Sequence, residues 1–275
     1  MNILITSAGR RVSLVRIFQK ELKLMYPQAQ VFTTDANPIL SPACQISDKS
    51  FKVPKLNDEN YLSELLNICK KNKITLIIPT IDLELKFLAE KNALFLENNI
   101  HTIISSKEFI DNCRDKREIH KFFEEQDIEV AKEFTKAEYK LPIFIKPFNG
   151  SRSIDTYIIN DEKEMQSEFF EGDRFMFLEY LDHDLYDEYT CDLYYDKKGN
   201  LKCVVPRKRV EVRDGEVSKG LTIRNELINY IKDRIPNIEG AKGCLTVQFF
   251  MNKNSKRIVG IEVNPRFGGG FPLSY

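Results

Sequence analysis

Gly260-Ile261-Glu262-Val263-Asn264-Pro265-Arg266-Phe267-Gly268-Gly269 is the stretch that decides how this chain is read. Side chains alternate faces along a strand, so Glu262, Asn264 and Arg266 are expected on one side, about 7 Å apart, with Ile261 and Val263 turned to the core. A carboxylate and an amide oxygen so spaced suit a hard cation such as Mg²⁺, and a guanidinium beside them suits a phosphate or carboxylate oxygen. The plainer alternative is a strand face that is simply polar. Upstream, residues 245–251 read as a strand, 252–256 as a turn and 257–264 as the returning strand. Pairing about that turn sets Gln248 opposite Glu262 or one residue from it, so ligands from two strands could share one metal.

A chain of 275 residues with 42% hydrophobic content is long enough for two or three compact units with a substantial core. Lys plus Arg and Asp plus Glu are balanced at 41 each, so no global field recruits nucleic acid or an anionic membrane, and neither is expected as a partner. Any anion site must come from local clusters. The six cysteines form no C-x-x-C pair and mostly sit in apolar segments, as reduced buried thiols do. The opening apolar run is short and is followed by arginines, unlike a signal peptide or membrane span. A reducing cytoplasm is the expected address, and a homodimer is the commonest assembly among soluble oligomers.

The first third alternates strand-like runs at residues 3–6, 31–34, 76–78 and 102–104 with helical periodicity at 12–24, 61–71 and 83–97. That alternation implies a parallel sheet covered by helices. The turn Ala8-Gly9-Arg10-Arg11 enters a helix with one glycine where the dinucleotide fingerprint needs three, which argues against an NAD site. Asp35 fits a turn better than a ribose-binding acid. A helix at 109–125 carries Lys116, and residues 143–147 then open a new unit with Lys146 inside an apolar strand. Such a lysine either snorkels or holds a phosphate, and the small polar loop from Phe148 through Gly150, Ser151, Arg152 and Ser153 beside it favours phosphate. A helix at 162–171 and a strand at 175–179 complete this unit. Strands at 188–195 and 201–205 follow. The basic segment with Arg207, Arg209, Arg213 and Lys219 then reads either as a solvated face or as a partner for a substrate anion.

In their order and spacing, Lys116, Lys146 with its loop, Glu179 to Leu181, Glu188, Gln248 and Glu262-x-Asn264-x-Arg266 resemble the ATP-grasp superfamily, and in particular short proteins related to the large subunit of carbamoyl phosphate synthetase. The resemblance covers essentially the whole chain. It implies a mixed α/β and α+β fold: an N-terminal Rossmann-like pre-ATP-grasp domain (1–108), a small lid domain (109–180) and a C-terminal antiparallel sheet domain (181–275), with ATP between the last two. By the same likeness, Lys116 and Lys146 contact ATP phosphates and Gly150, Ser151, Arg152 and Ser153 cover them. Glu179, Tyr180 and Leu181 lie along adenine, and Glu188 binds the ribose. Gln248, Glu262 and Asn264 match Mg²⁺ ligands, with Mn²⁺ as a substitute. Arg266 matches the arginine that steadies the γ-phosphate or an acyl phosphate, and Arg209 and Lys219 are set with it as catalytic cations.

Two departures stand out. The loop has one glycine where the synthetase has several, and the sequence given ends at Tyr275, soon after Gly268-Gly269-Gly270, where relatives commonly continue through another helical segment. The implied activity is a ligase that uses ATP and Mg²⁺ to convert a carboxylate to an acyl phosphate and passes it to an amine or similar nucleophile, both small molecules. The alternative is an ATP-binding module without ligation, acting as a sensor or assembly component.

Overall fold

The computed structural model of the chain describes residues 1–150, 154–213 and 216–275. Its first sheet joins β1 (Asn2–Thr6), β2 (Val31–Asp35), β3 (Lys49–Lys52), β4 (Ile74–Pro79) and β5 (His101–Thr102), all parallel, in the order β3-β2-β1-β4-β5. The helices α1 (Val12–Met25), α2 (Pro42–Ile46), α3 (Tyr61–Lys71), α4 (Asp82–Glu90) and α5 (Asn92–Glu97) lie along its connections. Leu4, Ile5, Ile77 and Ile78 are fully buried, as strands covered on both faces must be. The single helix expected at 83–97 is two. Its break at Lys91 lets the Asn92 side chain accept from the Thr102 hydroxyl and brings Phe95 to full burial.

The helix expected at 109–125 is also two, α6 (Lys107–Arg114) and α7 (Lys116–Glu125). Asp115 ends the first in extended geometry and caps the second, its carboxylate accepting from the Arg117 amide. A second sheet follows, antiparallel, in the order β6-β9-β7-β8, from β6 (Glu133–Phe134), β7 (Ile143–Pro147), β8 (Tyr157–Ile159) and β9 (Phe175–Glu179). The helix expected at 162–171 is instead a pair of 3₁₀ turns, Glu162–Glu164 and Ser167–Phe170. That window carries four glutamates and buries only Phe169, too little to hold a short helix in water.

The third sheet has the order β12-β11-β10-β13-β14 and is antiparallel throughout, built from β10 (Tyr186–Tyr195), β11 (Leu201–Arg213), β12 (Glu216–Thr222), β13 (Gly243–Asn252) and β14 (Ile258–Asn264). Its apolar face, with Tyr189, Cys191, Leu193, Leu245, Val247 and Phe249, packs on Ile119 and Phe123 of α7 and on Leu227 and Ile231 of α8 (Leu227–Arg234). α7 crosses so closely that a Cβ at Gly260 would lie 2.7 Å from the Phe123 ring. The other face is polar, and cross-strand pairing aligns its residues: Glu188 and Thr190 of β10 stand beside Arg209 and Arg207 of β11, and Thr190 beside Gln248 of β13.

Gln248 sits directly opposite Glu262, but the next pair is Phe249 with Gly260. Ile261 is therefore an extra residue, a bulge that puts Gly260 under Phe123 while keeping Glu262 on the polar face. The expectation that Ile261 faces the core fails for this reason, since it lines a cleft on the polar side, whereas Val263 is buried in the core as expected.

Candidate active site

A cleft of about 380 Å³ opens between the second and third sheets. Phe144, Leu178, Leu181, Phe250 and Ile261 give it apolar walls, and a few charged and polar groups converge within it, the usual character of a small-molecule pocket. Of the residues singled out from sequence, Lys116, Lys146, Gly150, Glu179, Tyr180, Leu181, Glu188, Arg209, Gln248 and Glu262 all line it. Ser151, Arg152 and Ser153 lie outside the described residues. A larger concavity of about 1030 Å³ opens along α7 among Arg117, Glu118, His120, Lys121, Glu124 and Glu129, and shares Ala131 with the cleft. Its lining is a mixed-charge surface without the strand lysine or the Gln248–Glu262 pair, so the smaller cleft is the chemical candidate.

Lys146 is 6% exposed in mid-strand, and burial pushes its ammonium down to about 8, helped by the charge of Lys116 and opposed by Glu262 and Glu133. Lys116 is also lowered by burial, with Glu262, Asp115 and Asp82 opposing. Its ammonium donates to the Gly150 carbonyl, and its amide donates to Phe148 O at 2.8 Å, which ties the start of α7 to the loop after β7. His120, one turn along α7, is buried with Nε2 unpartnered and is lowered to about 4 by burial and the two ammonium groups. Two desolvated cations close together, neither in an ion pair with a carboxylate among the described residues, make this end of the cleft a place for negative charge.

Across the cleft, the Glu188 carboxyl is raised by burial, with Arg209 opposing at 3.2 Å. The Asn264 amide nitrogen donates to Glu262 Oε1 at 2.9 Å, so its oxygen is turned toward Arg266, 3.5 Å from Nη2. For Asn264 to ligate a metal its amide must turn over. Among the described residues no group of three or more His, Cys, Asp or Glu converges as a metal site. One carboxylate and two amides fit a Mg²⁺ ion that arrives with most of its oxygens supplied by phosphate and water, and do not form a cage of their own.

Three expected site residues sit differently. Arg266 lies beyond the end of β14, where its guanidinium pairs with both oxygens of Asp82 at 2.8 and 2.7 Å. Lys219 is on the outer strand β12, exposed and paired with Glu211 at 2.6 Å, because that hairpin edge faces solvent. The Glu179 amide donates to Lys132 O at 2.8 Å, and its carboxylate is gripped by Arg257 Nη1 and Nη2 at 2.6 and 3.1 Å. That amide is therefore not open to adenine. Arg257 was not legible in the sequence as a site residue, since it reads as a turn cation. Arg207 was read only as a hint of anion binding. It is 1% exposed, its Nε donates to Asp192 Oδ2 at 2.8 Å, and its Nη1 is buried without a partner close under Gly270. Thr190 Oγ1, on the strand next to it, is likewise buried without a partner.

Residues 3–103 match the family described as PylC-like, N-terminal domain, and residues 171–275 match the family described as ATP-grasp in the biosynthetic pathway with Ter operon. No curated protein matches the chain by sequence. Among solved structures, the chain is similar to Rhizobium etli pyruvate carboxylase (TM-score 0.73, 16% identity, all of this chain on 27% of that one). It is similar also to N5-carboxyaminoimidazole synthetase from Staphylococcus aureus (0.71, 18%, 98% of this chain on 71% of that one) and to L-amino acid ligase from Bacillus licheniformis (0.68, 16%, 99% on 68%). The chain thus spans about a quarter of the first of these and about seven-tenths of the others. The Staphylococcus protein is also known in complex with ADP. At such identities the likeness speaks for fold, and the likeness to the carbamoyl phosphate synthetase branch is loose. The chain thus carries a PylC-like N-terminal domain over residues 3–103 and an ATP-grasp domain over residues 171–275, laid along its length on an architecture shared with those structures.

Proposed function

We propose that the chain is an ATP- and Mg²⁺-dependent ligase that activates a carboxylate as an acyl phosphate and joins it to an amine or similar nucleophile. The observation that carries this reading is the placement of two desolvated ammonium groups, Lys116 and Lys146, across one cleft from the Gln248–Glu262 pair. In this reading the lysines hold phosphate oxygens, the loop at Gly150 covers them, Glu188 takes the ribose hydroxyls, and the 179–181 segment lies along adenine. Because the Glu179 amide is spent on Lys132, adenine recognition falls to the rest of that segment. Gln248, Glu262 and a turned Asn264 hold Mg²⁺, which supplies charge neutralisation at the transferring phosphoryl group. Arg266 steadies the γ-phosphate and Arg209 stands at the ribose side beside Glu188. Lys219, exposed on β12 and paired with Glu211, would have to leave that partner to serve as a catalytic cation. The domains are assigned to 1–108, 109–180 and 181–275, the last two closing on the nucleotide.

Catalysis of this kind is positioning and electrostatics, and a reactive acyl phosphate needs a site closed to water. The test is a screen of carboxylates with amine acceptors for ADP release that depends on both substrates. Acceptor-dependent ADP release that disappears in Glu262→Ala supports the ligase. The single carboxylate in the metal set favours one other reading, a nucleotide-binding module without ligation, and MgATP binding with no stimulated ADP release across the screen would establish it.

A further inference from the structure

We propose that Asp82 is the positioning residue for Arg266, fixing from the parallel-sheet unit the guanidinium that the ligase reading sets against the γ-phosphate; the inference rests on that reading. A guanidinium offers five N–H donors in one plane, arranged as edges that each fit a two-oxygen acceptor. Asp82 occupies one edge: Nε donates to Oδ1 at 2.8 Å and Nη2 to Oδ2 at 2.7 Å, across 184 residues of sequence. The other edge is loosely held. Nη2 is 3.5 Å from Asn264 Oδ1 and Nη1 is 3.5 Å from Phe267 O, long contacts that a phosphate oxygen would replace. That edge faces Asn264, which itself bonds Glu262, so the open donors point along the candidate metal strand.

The main chain of Arg266 is pinned as well. Its carbonyl accepts from Thr246 Oγ1 at 3.0 Å and its amide donates to Asn264 O at 2.8 Å. What those bonds do not fix is the side chain, which leaves the bend after β14 with several free torsions. Asp82 fixes it. Asp82 stands at the first position of α4, where the helix dipole favours a carboxylate, and both its oxygens are turned to Arg266. A surface ion pair between two long side chains would do little, but this one joins a short rigid side chain to a guanidinium only 17% exposed, and presets the free edge before the nucleotide arrives. The PylC-like unit would then take part in phosphate recognition through Asp82.

The test is calorimetric binding of MgATP and MgADP to the full chain as wild type, Asp82→Asn, Asp82→Glu, Arg266→Lys and the Asp82→Asn/Arg266→Lys double variant, with thermal unfolding alongside. The readout is the ratio of the MgADP to the MgATP Kd, which a merely structural contact would not move. Asp82→Asn is expected to lower that ratio at least fivefold by weakening MgATP, with MgADP changed less than twofold. Asp82→Glu is expected to recover at least half of the loss, and the double variant to lose no more than Arg266→Lys alone. An unchanged ratio in Asp82→Asn, equal weakening of both nucleotides, or additive losses in the double variant would overturn the inference while leaving the ligase reading in place. A wild-type chain that takes up neither nucleotide would overturn both.

Discussion

The β1–β4 end of the parallel sheet and the polar face of the third sheet each gather buried polar groups, and they differ in how far those groups are satisfied, although Thr34 Oγ1 on β2 is also buried without a partner. In doubly wound sheets, ligands settle at the carboxyl ends of the strands where the strand order reverses, which here is between β1 and β4. That crevice is filled from within. Glu84 is fully buried and accepts from Tyr61 Oη at 2.5 Å, Thr6 Oγ1 at 2.9 Å and Ser7 Oγ at 3.0 Å, while Thr80 Oγ1 donates to the carbonyls of Thr6 and Ser7. At the third sheet, Lys146 is buried beside Lys116 with Glu262 and Glu133 opposing, and Thr190 Oγ1, Arg207 Nη1 and the nearby His120 Nε2 are buried without partners. A closed network stabilises a fold, whereas buried groups left without partners call for a separate explanation. The Rossmann-like sheet is the more familiar architecture, yet the proposed site lies in the other cleft, because function resides in groups and not in fold class.

The sharpest way to break this comparison is to exchange the behaviour of the two regions. Glu84→Ala leaves three hydroxyl donors, two of them buried, without this acceptor and is expected to cost on the order of 4 kcal/mol of stability by urea unfolding, with MgATP affinity of the folded chain unchanged. Lys146→Met should do the reverse. Removing a buried ammonium is expected to leave the thermal midpoint equal or higher and to weaken MgATP binding about 100-fold, close to 3 kcal/mol. A destabilised Lys146→Met that still binds MgATP normally would make Lys146 a structural lysine.

Two smaller effects sharpen the picture. Gly260→Ala would drive a methyl group into the Phe123 ring and is expected to cost about 2 kcal/mol while displacing α7, and with it Lys116. Denaturant midpoints check the first part, and a parallel loss of MgATP affinity checks the second. The last effect is a pH dependence. The folded pKa of Lys146, about 8, lies below its ordinary value of 10.5, so between those limits the unfolded chain binds more protons. This group's contribution to stability therefore rises with pH across that window, while MgATP affinity falls by up to about tenfold per unit above pH 8. Affinity that stays flat to pH 10 in wild type, as in Lys146→Met, would remove the lysine from phosphate binding.

Much of this was legible in the sequence where the signal was local. Alternation along two strands and the turn between them put Gln248 beside Glu262, and the register agrees. Alternation carries no trace of a bulge, so Ile261 was sent to the wrong side. Helical spacing found the right residues at 83–97 and 109–125 but not the breaks, which follow from an Asn92–Thr102 bond and from Asp115 acting as a cap. β12 is visible only as part of a strand-like basic segment, and α8, a short stretch half of whose residues are polar, carries too little periodicity to be read without its packing on the third sheet. Arg266 and Asp82 are far apart in sequence, and Arg257 with Glu179 nearly so, and no single-sequence pattern reports such pairs. Alternation of cations along the basic segment points to Lys219, but a single sequence does not show that Glu211 on the neighbouring strand pairs with it.

The most direct measurement is a calorimetric titration of the wild-type chain with ATP, with and without Mg²⁺. Saturable uptake of one nucleotide per chain, strengthened by Mg²⁺ and lost in Lys146→Met, is the predicted result. Absence of uptake, or uptake indifferent to both the metal and the lysine, would contradict the placement of the site in the cleft between the second and third sheets.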